Sequence, residues 1–269
     1  MNLVTPARMP QLVATDLDGT LVRKDGTVSP YTRDVLVALE ERGVPVIFVT
    51  GRPLRWTMPL FEHVGSHGLA IVSNGAMVWD VAAQVARTSY ALGASESAEV
   101  VSLLQEALPG SVFGAERETG FAMEPDFPDA PGREALPRMP LGELVSSPML
   151  KLLSLHRELD PDVYWKRAIS AVGELATVTH SSSFALLEIS AYGVTKASTL
   201  ASVAGSLGVA AEDVIAFGDM PNDIAMLQWA GTSFAMADAH PEAREAAGNV
   251  APSHEEDGVA RTLAEVFAL

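Results

Sequence analysis

The run Val44-Pro45-Val46-Ile47-Phe48-Val49 is apolar at every position. A strand of that kind cannot keep one face in water. It suits a parallel sheet covered on both faces. Leu12-Val13-Ala14 and stretches within 69–80, 149–155, 183–190, 213–219 and 232–237 supply further strands. Helical spacing fills the gaps between them. Ser29 can cap a helix, Pro30 suits its first position, Val35, Ala38 and Leu39 form its apolar stripe, and Gly43 ends it. Further helices are expected over 53–64, 97–108, 160–173, 195–208, 221–231 and 257–268. Strands alternating with helices imply an α/β fold, a doubly wound, Rossmann-like parallel sheet with right-handed crossovers. Two strands within 69–80 are expected around an Asn74-Gly75 turn. The segment 124–140 is dense in proline and reads as an irregular loop.

Composition narrows the function. With 48% hydrophobic and 19% charged residues the chain can bury a core, which excludes disorder as its main state. Acidic residues number 34 against 18 basic, a net charge of −16. That balance argues against nucleic acid or an anionic membrane as partner, since both recruit basic patches. Cysteine is absent, which removes disulfides, thiolate metal sites and cysteine nucleophiles. Met1–Pro10 has no long apolar run, and no stretch reaches the roughly 18 apolar residues of a membrane helix. A cytoplasmic protein is expected.

In an open parallel sheet, ligands collect at the carboxyl ends of the strands. Asp16 and Asp18 follow the first apolar run, Thr50, Gly51 and Arg52 the second, and Asn74 the third. Asp219, Asn222 and Asp223 follow the run at 213–218, and Lys196 opens the helix before it. Two carboxylates about 4 Å apart repel by about 4 kcal/mol at an effective dielectric of about 20. Four on one edge therefore need cations. Lys196 is one; a hard divalent ion such as Mg²⁺ with oxygen ligands would be another. Such an edge, with a hydroxyl and helix N-termini nearby, suits a phosphoryl group.

The motifs "DLDGT" at 16–20, "VTGR" at 49–52, "GVTKAS" at 193–198 and "GDMPND" at 218–223 resemble, in order, the four motifs of the haloacid dehalogenase (HAD) superfamily. "SNGAMV" at 73–78, "LLEIS" before "GVTK" and "HEEDGVARTL" near the C-terminus are similar to its Cof-type, sugar-phosphatase-like branch. The resemblance implies a catalytic core from 1–81 and 191–269, with an α+β cap inserted at 82–190 that sets specificity. It implies a Mg²⁺-dependent phosphatase acting on a small phosphorylated metabolite such as a sugar phosphate. Asp16 would be the nucleophile that becomes an aspartyl-phosphate, and Asp18 the acid and then the base. Thr50 and Lys196 would hold the phosphoryl group. Asp16, Asp18, Asp219 and Asp223 form the expected metal set. Gly51, Arg52, Asn74 and Asn222 are expected on the substrate. One departure stands out: the branch usually has "GNA" after the last core strand, and here it is Ala237-Asp238-Ala239.

Outside these motifs the signals are weaker. His63 and His67 form the one loose histidine pair, flanked by glycines and read as loop surface. The four tryptophans are expected in the core or between domains. Arg117, Glu124 and Arg133 lie in the middle segment and could face a substrate. A phosphomutase would use the same four motifs, and a catalytically silent metabolite sensor would keep the fold. A receiver domain shares an acceptor Asp, Mg²⁺, Thr and Lys but is shorter and lacks an acid/base two residues after the nucleophile. Monomer and dimer are both compatible with the sequence.

Overall fold

The structure is a computed structural model and describes residues 8–63, 68–129 and 136–269. His67 and Arg133 lie outside the described residues. The chain forms two compact units: residues up to Thr88 together with Lys196–Leu269, and an inserted unit, Ser89–Thr195.

The larger unit begins with β1 (Leu12–Thr15), α1 (Pro30–Glu41), β2 (Val46–Val49), the single turn α2 (Leu54–Thr57), β3 (Leu69–Val72), β4 (Met77–Asp80) and β5 (Val85–Ser89). The inserted unit contributes α3 (Ala94–Ala107), β6 (Val112–Arg117), β7 (Gly120–Met123), α4 (Leu141–Leu144), β8 (Lys151–Leu155), α5 (Pro161–Val172), β9 (Ala176–Thr179) and β10 (Leu186–Ala191). The chain then returns through α6 (Lys196–Ser206), β11 (Val214–Gly218), α7 (Ile224–Trp229), β12 (Thr232–Met236), α8 (Pro241–Ala246), β13 (Asn249–Ala251) and α9 (Gly258–Phe267).

The large sheet runs β13-β12-β11-β1-β2-β3-β4-β5. Pairing is parallel from β13 through to β3 and antiparallel between β3 and β4. Alternate residues of each strand serve opposite faces. Val13, Phe48, Ile215 and Phe217 pack with residues of α1 and α9, while Leu12, Ala14, Ile47 and Val214 pack with residues of α6 and α7. The doubly wound expectation is met. The chain leaves β1 toward β2 on one side and reaches β11 on the other, so the topological switch lies at β1. The inserted unit is an antiparallel sheet, β7-β6-β8-β10-β9, with α3 and α5 on one face over a core that includes Phe113, Leu152, Tyr164 and Ile189. Among the described residues, no helix is long and apolar enough to cross a membrane.

Several expectations need correction. The helix expected over 53–64 is one α turn followed by a 3₁₀ segment, Met58–His63. Pro59 lacks the N–H that a continuing α-helix would use. The Asn74-Gly75 turn is longer than a two-residue hairpin: Val72 pairs with Met77, leaving four residues in the loop. Trp56 is exposed, with the Arg55 guanidinium 4.8 Å above its ring.

Leu39 is fully buried on the inward stripe of α1. Leu39→Ala should lower unfolding free energy by about 2–5 kcal/mol. Ser29→Ala removes the cap bond to the Thr32 N–H (3.0 Å) and should cost about 1 kcal/mol. Urea titrations of both variants check the order.

Candidate active site

β1 ends at Thr15, and the Asp16 N–H bonds the Phe217 carbonyl of β11. That bond continues the sheet by one residue and fixes where the Asp16 side chain begins. Thr20, Leu21 and Val22 then donate N–H bonds to the Leu17 carbonyl, curling the chain into a tight turn. Gly19 sits in this turn at φ 74°. A Cβ there would lie 2.3 Å from Asp219 Oδ2, so the turn accepts only glycine twice over, for its backbone angle and for the neighbouring carboxylate.

Lys196, the first residue of α6, is buried and donates to Asp16 Oδ1 at 2.6 Å and Asp223 Oδ1 at 2.7 Å. Asp223 Oδ2 accepts the backbone N–H groups of Asp219 and Met220, each at 3.0 Å. Both oxygens of Asp223 are thus engaged in shaping the loop and aiming Lys196. Asp219 Oδ1 accepts from the Thr20 hydroxyl at 3.0 Å. Thr20 belongs to the same "DLDGT" turn and was not singled out from the sequence.

Asp16, Asp219 and Asp223 offer oxygens within 4.8 Å of one another. The electrostatics follow. Burial first, then the charges of Asp223 and Asp18, push Asp16 up to about 7 against the pull of Lys196. Asp219 is raised well above the carboxylate range by burial, then by Asp16 and Asp223. Burial works against charge on Lys196, but the two aspartates outweigh it and hold its ammonium above the ordinary lysine range. Three carboxylates against one ammonium form a hard oxygen donor set short of positive charge, which fits a divalent cation such as Mg²⁺.

The second strand end brings the other groups. Thr50 is buried, and its hydroxyl accepts the Arg52 N–H at 3.0 Å. The Arg52 guanidinium grips Asp18, Nε to Oδ2 at 2.7 Å and Nη2 to Oδ1 at 2.5 Å. Asn74 is buried and accepts from Asn222 Nδ2 at 3.0 Å, and its N–H bonds the Thr50 carbonyl. Ser73 and Asn74 both hold positive φ, 52° and 57°. Thr199 of α6 donates to the Gly75 carbonyl at 2.8 Å. The loop 73–76 thus ties two of the four motif segments, 49–52 and 218–223, to each other and to the helix that follows a third; Thr199 carried no sequence signal for this. In the inserted unit, Arg117 is engaged with the Leu144 carbonyl and Ser147, and burial raises Glu124.

Two outcomes are expected. Asn74→Gly loses the bond to Asn222, whereas Asn74→Ala also forces alanine into a left-handed angle that costs roughly 1–2 kcal/mol. Denaturant titration should find the alanine variant the less stable; the reverse order would refute the strain. Asp16 ionises at 3.8 when free and near 7 in the folded protein. Across that window the folded chain keeps a proton the unfolded chain has lost, so stability falls as pH rises through it. In chelator, the contribution of Asp16 should lower Tm from about pH 5 to about pH 7.5. Mg²⁺ should raise Tm more at the higher pH, and an equal Mg²⁺ effect at both would contradict the assignment.

A family model of haloacid dehalogenase-like hydrolases matches residues 13–263. The chain is 30% identical over 282 residues to a 5-amino-6-(5-phospho-D-ribitylamino)uracil phosphatase, YitU, of Bacillus subtilis, covering 97% of this chain and 98% of that one. It is 29% identical over 254 residues to a phosphoglycolate phosphatase of Methanothermobacter thermautotrophicus, covering 93% and 96%. Among solved structures, BT1666 of Bacteroides thetaiotaomicron, a HAD-superfamily phosphatase, superposes with a TM-score of 0.82 at 20% identity, covering 100% of this chain and 99% of that one. The match runs from β1 into α9 and takes in every residue of the carboxylate–lysine cluster: the chain belongs to the haloacid dehalogenase-like hydrolases.

Proposed function

We propose that the protein hydrolyses small phosphomonoesters, sugar phosphates or related metabolites, through a phosphorylated Asp16. One observation carries the reading: a buried lysine joins Asp16 to Asp223, while Asp18, two residues on, stays largely exposed. Lys196 occupies Asp16 Oδ1, so Oδ2 is assigned the attack on phosphorus. Asp18 gives a proton to the departing alcohol oxygen and then takes one from the water that splits the acyl-phosphate. Lys196 offsets charge on the phosphoryl oxygens, and the Thr50 hydroxyl is assigned a bond to one of them.

Mg²⁺ is the expected cofactor, held by Asp16, Asp219 and the Asp18 carbonyl; when bound it supplies charge neutralisation at the transferring group. Asp223 is assigned to the loop and Lys196, since its oxygens are already engaged. Asn74 and Asn222 are assigned to holding the motif loops together, and Gly51 to the phosphoryl pocket. The inserted unit is assigned substrate selection. The two curated relatives support phosphomonoester chemistry, and the unlike leaving groups in their names leave this chain's own substrate to a screen of phosphorylated metabolites by kcat/KM.

Asp18→Asn separates the two half-reactions. An alkyl phosphate needs the acid, so the variant should lose about 10²–10⁴-fold in its first step. An aryl phosphate with a weakly basic leaving group needs it little. The variant should therefore release a burst of aryl alcohol near one equivalent and stall, with the phosphoryl group on Asp16 by mass spectrometry. Asp16→Asn should give neither burst nor adduct. Wild-type turnover of the aryl ester by Asp18→Asn, or an adduct elsewhere, would overturn the roles.

A further inference from the structure

We infer that Arg52 is a positioning residue for Asp18, acting on the reaction through the acid/base carboxylate rather than as a clamp on the substrate. This rests on the phosphatase reading above and concerns one side chain that its sequence pattern assigned to the substrate.

The geometry starts with exposure. The Asp18 side chain is 60% exposed, while that of Arg52 is 21% exposed. An exposed aspartate with two free torsions samples several rotamers. General acid and base catalysis needs its oxygen within hydrogen-bond reach of one reacting atom. Among the described residues, the Arg52 guanidinium is the group that bonds the Asp18 carboxylate, and it does so at both oxygens. Two parallel charge-assisted bonds fix the carboxylate plane as well as its position, which a single point charge would not do.

Arg52 is itself held. Its N–H is bonded to the Thr50 hydroxyl, and its carbonyl accepts the Ser73 N–H at 2.9 Å. Its remaining terminal nitrogen, Nη1, reaches the Trp56 carbonyl at 3.4 Å. That carbonyl lies on the turn α2, where Arg55 covers the Trp56 ring. The guanidinium therefore spans from a fixed backbone to the exposed carboxylate, with Nε and Nη2 turned to Asp18 and Nη1 to the Trp56 carbonyl. Three of its five N–H donors are engaged, two of them on Asp18 and one on Trp56, and its main effect on turnover runs through Asp18.

A double-mutant cycle tests this with Arg52→Gln, Asp18→Asn and the double variant, on an alkyl phosphate that wild type hydrolyses. Misplacing a catalytic group by about 1 Å can cost about 10²-fold. Arg52→Gln should lower kcat by about that factor, with KM changed by less than about threefold. In the Asp18→Asn background the same change should alter kcat by less than about twofold, because the residue it acts through is gone. Arg52→Lys, which keeps the charge but offers one bond direction, should fall between wild type and Arg52→Gln in kcat; it also stands in should the glutamine variant fail to fold. A rise in KM at unchanged kcat would overturn the inference and make Arg52 a substrate clamp. A kcat loss that persists in the Asp18→Asn background would also overturn it. Absence of phosphate release by wild type across the metabolite panel would instead refute the phosphatase reading itself.

Discussion

The site depends on a single buried ammonium. Lys196 lies between Asp16 and Asp223, at 2.6 and 2.7 Å, with its side chain fully out of solvent. Burying an ion costs several kcal/mol before its partners are counted, and removing one member of a buried set leaves the others uncompensated. Here the set is deliberately unbalanced, since Asp219 adds a third carboxylate. Folding alone would favour an apolar cluster at such a point. Under the proposed function the excess negative charge makes sense as chemistry: it would keep a nucleophilic oxygen at hand and leave a demand for a divalent cation. Asp223 shows how the fold supports it, taking Lys196 on one oxygen and two backbone N–H groups on the other.

Sheet topology decides where this cluster sits. β1 lies between β2 and β11 at the point where the chain order reverses, the place at whose carboxyl edge a doubly wound sheet takes its ligand. Parallel pairing aligns those ends. Ala14 is level with both Ile47 and Ala216, which places Asp16, Thr50 and Asp219 within a few residues of one level. Lys196 stands 180 residues from Asp16 in sequence and reaches it because α6 packs beneath that edge.

Legibility in the sequence followed physical redundancy. The buried strands were readable because both faces need apolar residues, and α1 because Ser29-Pro30 announces its start. The motif residues were readable because carboxylates at the ends of apolar runs have few structural reasons to be there. Elements with weak patterns were missed. β5 is exposed along its whole length and shows no alternation, β6 carries Gly114 and Ala115, and β13 has three residues. The contacts of Arg52 and Asn74 were not readable either, because a strand-end position tells which edge a side chain occupies and says nothing of its partner. Asn74 turned inward to Asn222, and Arg52 turned to Asp18.

Those two inward turns show how a loop site acquires rigidity. Thr50, Arg52, Ser73 and Asn74 are joined by backbone bonds from Ser73 to Arg52 and from Asn74 to Thr50. Positive φ at Ser73 and Asn74 stores strain that a free loop would release, and it persists because burial and the Thr199–Gly75 bond hold the loop in place. The strained turn is thus part of the frame, carried by the same helix that presents Lys196. A change in the α6 packing would therefore disturb the ammonium, the Thr50 hydroxyl and the Arg52–Asp18 pair together. That coupling explains why residues far apart in the chain act as one site, and why its precision lies in backbone bonds more than in the four motifs themselves.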